Sequence, residues 1–110
     1  MLQELYDIML TSAGFKIVAT AYNGEEAVNK FRAFEKKPDL ILMDNRMPIM
    51  NGIDAAKEII EINGGSRIIV VSADLSIKEY SLSVGITSFV AKPFKYDELI
   101  NIMNMAMRYS

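Results

Sequence analysis

The sequence predicts an α/β fold in three layers, a parallel sheet with helices on both faces. Three observations carry this. After one leading helix, strand and helix patterns alternate four times over, and strict alternation of this kind means parallel strands joined by helical crossovers. Two short runs, Leu40-Ile41-Leu42-Met43 and Ile68-Ile69-Val70-Val71, are apolar throughout, as strands buried on both faces are. The chain has 110 residues, 51% hydrophobic and 24% charged, enough for one domain with a core and not two.

Each element has its own signal. Leu2, Leu5, Tyr6, Met9, Leu10 and Ala13 fall on one helical stripe, which Gly14 closes. Lys16 to Thr20, KIVAT, is short and rich in β-branched residues, a strand. Asn23 stands as cap of the next helix with Glu26 in capping-box position, and Ala27, Phe31 and Phe34 point inward. That helix ends before Pro38. Asp39 to Met43 is a strand, Asn51 to about Ile62 a helix stopped by Asn63-Gly64-Gly65, and Arg67 to Val71 a strand. Ser76 with Glu79 reads as a second capping box, and Gly85 ends the helix it opens. Thr87 to Ala91 is a strand, Lys92-Pro93-Phe94 a turn, and the last helix runs from about Tyr96 to Arg108. Its residues Leu99, Ile100, Ile102, Met103, Met105, Ala106 and Met107 leave little polar face. Core packing accounts for most of that, and a contact surface for the rest.

Absences bound the chemistry. There is no cysteine and no histidine, so there is no thiolate, no imidazole base, no Ser-His triad and no Cys- or His-ligated metal. Carboxylate, hydroxyl, lysine and backbone groups remain. A net charge of −2 with both signs interspersed gives no footprint for nucleic acid or an anionic membrane. No apolar run is long enough to span a bilayer. The lack of cysteine fits a reducing cytoplasm.

In open α/β sheets ligands bind outside the carboxyl ends of the strands. Asp44 follows Leu40–Met43, Ser72 follows Ile68–Val71, and Lys92 follows the last strand, directly before Pro93. Neighbouring strands lie about 4.8 Å apart, so on adjacent strands these groups converge on one pocket. Taken singly, each has a plainer reading: Asp44 as a turn residue, Ser72 as a turn or cap, Lys92 as a solvated charge. Together they suit a phosphoryl group on Asp44, because phosphoryl transfer needs mainly positioning and charge stabilisation. Lys92 offers a point charge and Ser72 one hydroxyl donor.

Asp44-x-x-Met47-Pro48-x-Met50-x-Gly52, Ser72-Ala73 and Lys92-Pro93-Phe94, in this order, resemble the receiver domain of two-component response regulators. The resemblance runs along essentially the whole chain. It implies a flavodoxin-like αβα fold, here expected as four strands in one receiver-like domain over residues 1–110, truncated at its start relative to the family, and no output domain is expected. It implies that Asp44 accepts a phosphoryl group from a histidine kinase or phosphotransfer protein. Ser72 becomes the switch hydroxyl, Lys92 the phosphate-binding lysine and Phe89 the switch aromatic; a plain core aromatic is the simpler reading of Phe89. The metal in such domains is Mg2+, held by the acceptor Asp44 and by the backbone carbonyl two residues on, here Arg46. The Lys92-Pro93 peptide is cis in the family. The activity implied is signalling, with at most self-phosphorylation and autodephosphorylation, and not that of an enzyme with a separate substrate.

The sequence departs from the pattern at its start. Receivers open with a strand ending in two acidic residues that help hold Mg2+. Here the leading helix has no strand before it, and Glu4 and Asp7 lie within that helix. With Asp44 alone, Mg2+ binding is expected to be weak or absent. The first strand of a receiver also lies between the counterparts of KIVAT and Leu40–Met43. Three explanations stay open: a start inside an ordinary receiver, closure of the gap by KIVAT, or pairing with a second copy as a homodimer. Two functions are therefore expected to compete. One is a phosphoacceptor switch in the cytoplasm that signals to a downstream protein target. The other is a phosphorylation-incompetent module for interaction or dimerisation.

Overall fold

The computed structural model describes Gly14, residues 24–44 and residues 51–108. The helix expected before Gly14, the strand expected at Lys16 to Thr20, the cap at Asn23 and the segment holding Arg46 lie outside the described residues. In order, the described elements are α1 (Gly24–Ala33), β1 (Leu40–Asp44), α2 (Gly52–Ile62), β2 (Arg67–Ser72), a 3-10 turn (Leu75–Ile77), α3 (Lys78–Ser83), β3 (Ser88–Ala91) and α4 (Tyr96–Arg108).

β2 is central among these strands, with β1 and β3 parallel on either side. Asp44 stands opposite Val71, and Ser72 opposite Ala91, so the three strands end together. Because strand side chains alternate between faces, β2 feeds two separate cores. Ile68 and Val70 face a cluster with Val28 and Phe31 of α1, Ile53, Ala56 and Ile59 of α2, and Met43 of β1. Ile69 and Val71 face a second cluster with Val90 of β3 and Leu99, Met103 and Ala106 of α4. Within β1, Ile41 and Met43 serve the first cluster and Leu40 and Leu42 the second. This is why neither strand alternates in its sequence: both faces are covered, helices lie on both sides of the sheet, and the three-layer fold follows.

Local chemistry fixes the element ends. The Asn51 side chain accepts a hydrogen bond from the Asp54 amide at 2.9 Å and caps α2. Gly85, with φ +104°, follows α3 in a left-handed conformation that favours glycine.

Two local expectations need correction. The turn after β2 is capped by Asp74, whose carboxylate accepts from the Ser76 amide at 3.0 Å and from the Ser76 hydroxyl. Ser76 is thus a donor to the cap and not the cap, and a 3-10 turn precedes the short α3. In α1 the buried face is Val28 and Phe31, while Phe34 lies just past the helix end and is half-buried. The helix closes early because the Lys37 ammonium donates to the carbonyls of Phe31, Arg32 and Phe34 at 2.8, 3.2 and 2.8 Å.

Candidate functional site

Asp44 is the last residue of β1, so the parallel register carries its carboxylate to the rim where β2 and β3 also end. Lys92 immediately follows β3, and its amide donates to the Ser72 carbonyl at 3.0 Å, extending the β2–β3 ladder by one rung. The Lys92-Pro93 peptide is cis.

β1 and β3 both flank β2, so their ends stand about two strand spacings, roughly 10 Å, apart. The lysine stem crosses that gap. Lys92 Nζ donates to Asp44 Oδ2 at 2.6 Å, over the end of β2. Both side chains are partly open to solvent, at 28% for Lys92 and 36% for Asp44. The pair is therefore charge-assisted yet within reach of a ligand from solution.

Ser72 contrasts with them. It is only 1% exposed, and its hydroxyl accepts a hydrogen bond from the Asp74 amide at 3.0 Å. The hydroxyl is thereby tied to the start of the 3-10 turn. Phe89, in β3 opposite Val70, is half-buried and packs against the α1–α2 core.

The structure brings Asp44 and Lys92 into direct contact and sets Ser72 at the end of the strand between them. Arg46, the other expected contributor, is outside the described residues. Sequence reasoning missed the Asp74 amide as the partner of Ser72. The Ser-x-Asp spacing was its signal, an Asp two residues past a strand being a ready turn cap.

The donor set bears on a metal. Among the described residues, no group of three or more His, Cys, Asp or Glu side chains stands close enough to hold an ion. The Asp44 carboxylate already has the Lys92 ammonium against it, whereas a divalent cation such as Mg2+ seeks several oxygens. The same pair suits a ligand that is itself anionic.

The family description of the response regulator receiver domain matches residues 1–104. The chain belongs to the response regulator receiver domain family. Receiver domains are signalling domains of two-component systems and not classical enzymes. The chain is 41% identical over 98 residues to the chemotaxis protein CheY of Thermotoga maritima, covering 87% of this chain and 80% of that one. Its receiver fold superposes with a TM-score of 0.87 on a structure of the CheX-CheY-BeF3-Mg complex from Borrelia burgdorferi, at 30% identity, covering 93% of this chain and 78% of that one. With the receiver domain of a sensor histidine kinase from Pseudomonas aeruginosa, which has a magnesium ion coordinated in its active-site cleft, the TM-score is 0.83 at 31% identity, covering 96% and 88% of the two chains. Among the described residues of this receiver domain, no helix is long and apolar enough to cross a membrane.

Proposed function

We propose that this receiver domain accepts a phosphoryl group on Asp44 from a histidine kinase or phosphotransfer protein and signals by protein–protein contact. The observation that carries the reading is the Lys92–Asp44 contact at 2.6 Å, on the rim where Ser72 also ends its strand. In the transfer, an Asp44 carboxylate oxygen attacks phosphorus and an O–P bond forms. The N–P bond of the donor phosphohistidine breaks, and its electron pair returns to the imidazole nitrogen, which takes up a proton. Lys92 is already in place to balance the charge that then collects on the phosphoryl oxygens. The Ser72 hydroxyl exchanges the Asp74 amide for a phosphoryl oxygen, and Phe89 follows into the space left beside it.

Mg2+ is the cofactor seen with relatives, and when bound it offsets phosphoryl charge. Mg2+ binding at Asp44 is opposed by the Lys92 ammonium, which already holds Asp44 Oδ2. A second reading is a receiver fold used as an interaction or homodimerisation module without phosphorylation, and the Lys92 ammonium already seated on Asp44 supports it. Residues 1–110 then act as one cytoplasmic unit that needs neither nucleic acid nor membrane.

Labelling with a phosphodonor separates the two readings. Under the first, the chain takes up label and Asp44→Asn does not; label that persists in Asp44→Asn removes Asp44 from the role. No label in the wild-type chain, even after grafting an apolar strand ending in two acids onto its amino terminus, leaves the second reading standing.

A further inference from the structure

Segment 75–83, immediately after the site, is lightly held. The 3-10 turn Leu75–Ile77 contributes no buried residue, and α3 contributes only Ser81. α3 has no side-chain cap, and the Ser81 hydroxyl turns back onto the Ile77 carbonyl at 2.8 Å. Few buried apolar contacts mark a segment that is cheap to displace. Ile77 packs partly against the α1–α2 core, and two further ties fix the segment's ends. At one end, Asp74 caps the turn through its side chain and reaches the Ser72 hydroxyl through its amide. At the other, one side-chain contact joins α3 to α2. Lys57 Nζ donates to the Tyr80 hydroxyl at 3.1 Å and sits 5.7 Å from the centre of the Tyr80 ring. One turn along α2, Ile60 meets Gly85, where an added Cβ would stand 3.3 Å from Ile60 Cδ1.

We propose that Lys57 latches Tyr80 and thereby sets the resting position of segment 75–83, so that the latch and the Ser72–Asp74 hydrogen bond hold one element from its two ends. α2 is a firm anchor, because Ile53, Ala56 and Ile59 are fixed in the core. Tyr80 is 48% exposed, so its ring is also part of the outer surface. A displacement that starts at Ser72 therefore meets resistance at Lys57, and one imposed on Tyr80 by a partner is felt at Asp74. Tyr80 and Lys57 are positioning residues, acting on the site through the segment between.

The proposal extends the site reading without depending on phosphorylation, and its test uses the unliganded 110-residue chain. Lys57→Met keeps the stem and removes the ammonium; Tyr80→Phe keeps the ring and removes the hydroxyl. Amide hydrogen exchange is followed by NMR across the chain. An exposed pair of this kind has a small effect, so the amides from Asp74 to Val84 are expected to exchange about 2–5-fold faster in either variant. The double variant adds little beyond Lys57→Met alone, because that substitution already removes both the hydrogen bond and the ring contact. The decisive amide is that of Asp74, on the site side of the segment. If exchange rises only next to Tyr80 and Asp74 is unmoved, the pair is a local surface contact and the latch does not reach the site. No rise in either variant, a uniform rise over the whole chain, or additive effects of the two substitutions overturn the proposal as well. Loss of phosphorylation alone has no bearing on it.

Discussion

Lys92 reaches across the end of β2 to place its ammonium 2.6 Å from Asp44 Oδ2, so the lysine and the carboxylate neutralise each other before any ligand arrives. Lys92→Met therefore acts with opposite signs on two ligands. Freed of the adjacent positive charge, Asp44 binds Mg2+ more tightly, by roughly 3–10-fold for a solvent-screened pair, while binding of a phosphoryl mimic such as beryllofluoride weakens. NMR shifts at Asp44 read both titrations. Changes of the same sign would contradict the charge argument. Fold stability should change by less than about 1 kcal/mol, because both partners are partly solvated.

Gly85→Ala places a Cβ on a backbone at φ +104° and 3.3 Å from Ile60 Cδ1. The left-handed conformation costs about 1–2 kcal/mol, and the flexible end of Ile60 absorbs most of the contact. Gly64→Ala is the control: its Cβ meets only the Ile60 carbonyl oxygen, at 3.9 Å. Urea midpoints should fall for Gly85→Ala and stay nearly level for Gly64→Ala, and equal shifts would count against the conformational account.

Lys37→Met removes the ammonium that closes α1 on the carbonyls of Phe31, Arg32 and Phe34. It also removes the cation 5.0 Å from the Phe31 ring centre. Two of the three bonds are part-buried, so a loss of about 1–2 kcal/mol is expected. Denaturant unfolding with an unchanged slope is the measurement, and an unaltered midpoint would show that water replaces the ammonium at no cost.

The Lys57 ammonium is held above its ordinary value of 10.5, first by the hydrogen bond to Tyr80 and then by the charge interaction with it, with smaller help from Asp54 and Glu61. A raised folded value means that its contribution to stability is fully present below the ordinary lysine range and is lost as pH rises through the folded value. The stability difference between the wild-type chain and Lys57→Met should thus be flat through neutral pH and vanish in strong alkali. A difference that changes between pH 6 and 8 would need another titrating group, and the chain has no histidine to supply one.

Along β1, Leu40 to Met43 serve both cores, which makes exposure of this strand costly. The amides of Leu40 to Met43 are expected to exchange more slowly than loop amides, either in a monomer closed by another segment or in a dimer. Sedimentation at several concentrations distinguishes those two. Loop-like exchange in a concentration-independent monomer would rule out both.

The sheet and the rim of the site were legible because the apolar runs of β1 and β2 stop at Asp44 and Ser72 and because alternation forces parallel strands. What could not be read depends on competition or on distance. Asp74 and Ser76 are both good caps, and only the chain's path after β2 shows that Asp74 takes the role. Lys57 and Tyr80 are unremarkable surface residues until the fold brings them within reach of one hydrogen bond. Lys37 looks like one of two adjacent lysines before Pro38; its three carbonyl partners come from the helix end folding back toward it.

The carboxylate and the ammonium at the rim are separated by 48 residues of chain. Closing so long a loop is entropically unfavourable until the intervening strand and both crossovers are in place. The contact therefore reports on the order of assembly. A chain released from synthesis before β3 docks has Asp44 and Ser72 on paired strands but no lysine at the rim, and so no compensated anion site. The Lys92–Asp44 contact thus depends on the docking of β3 beside β2, and a chain in which β3 is undocked lacks it.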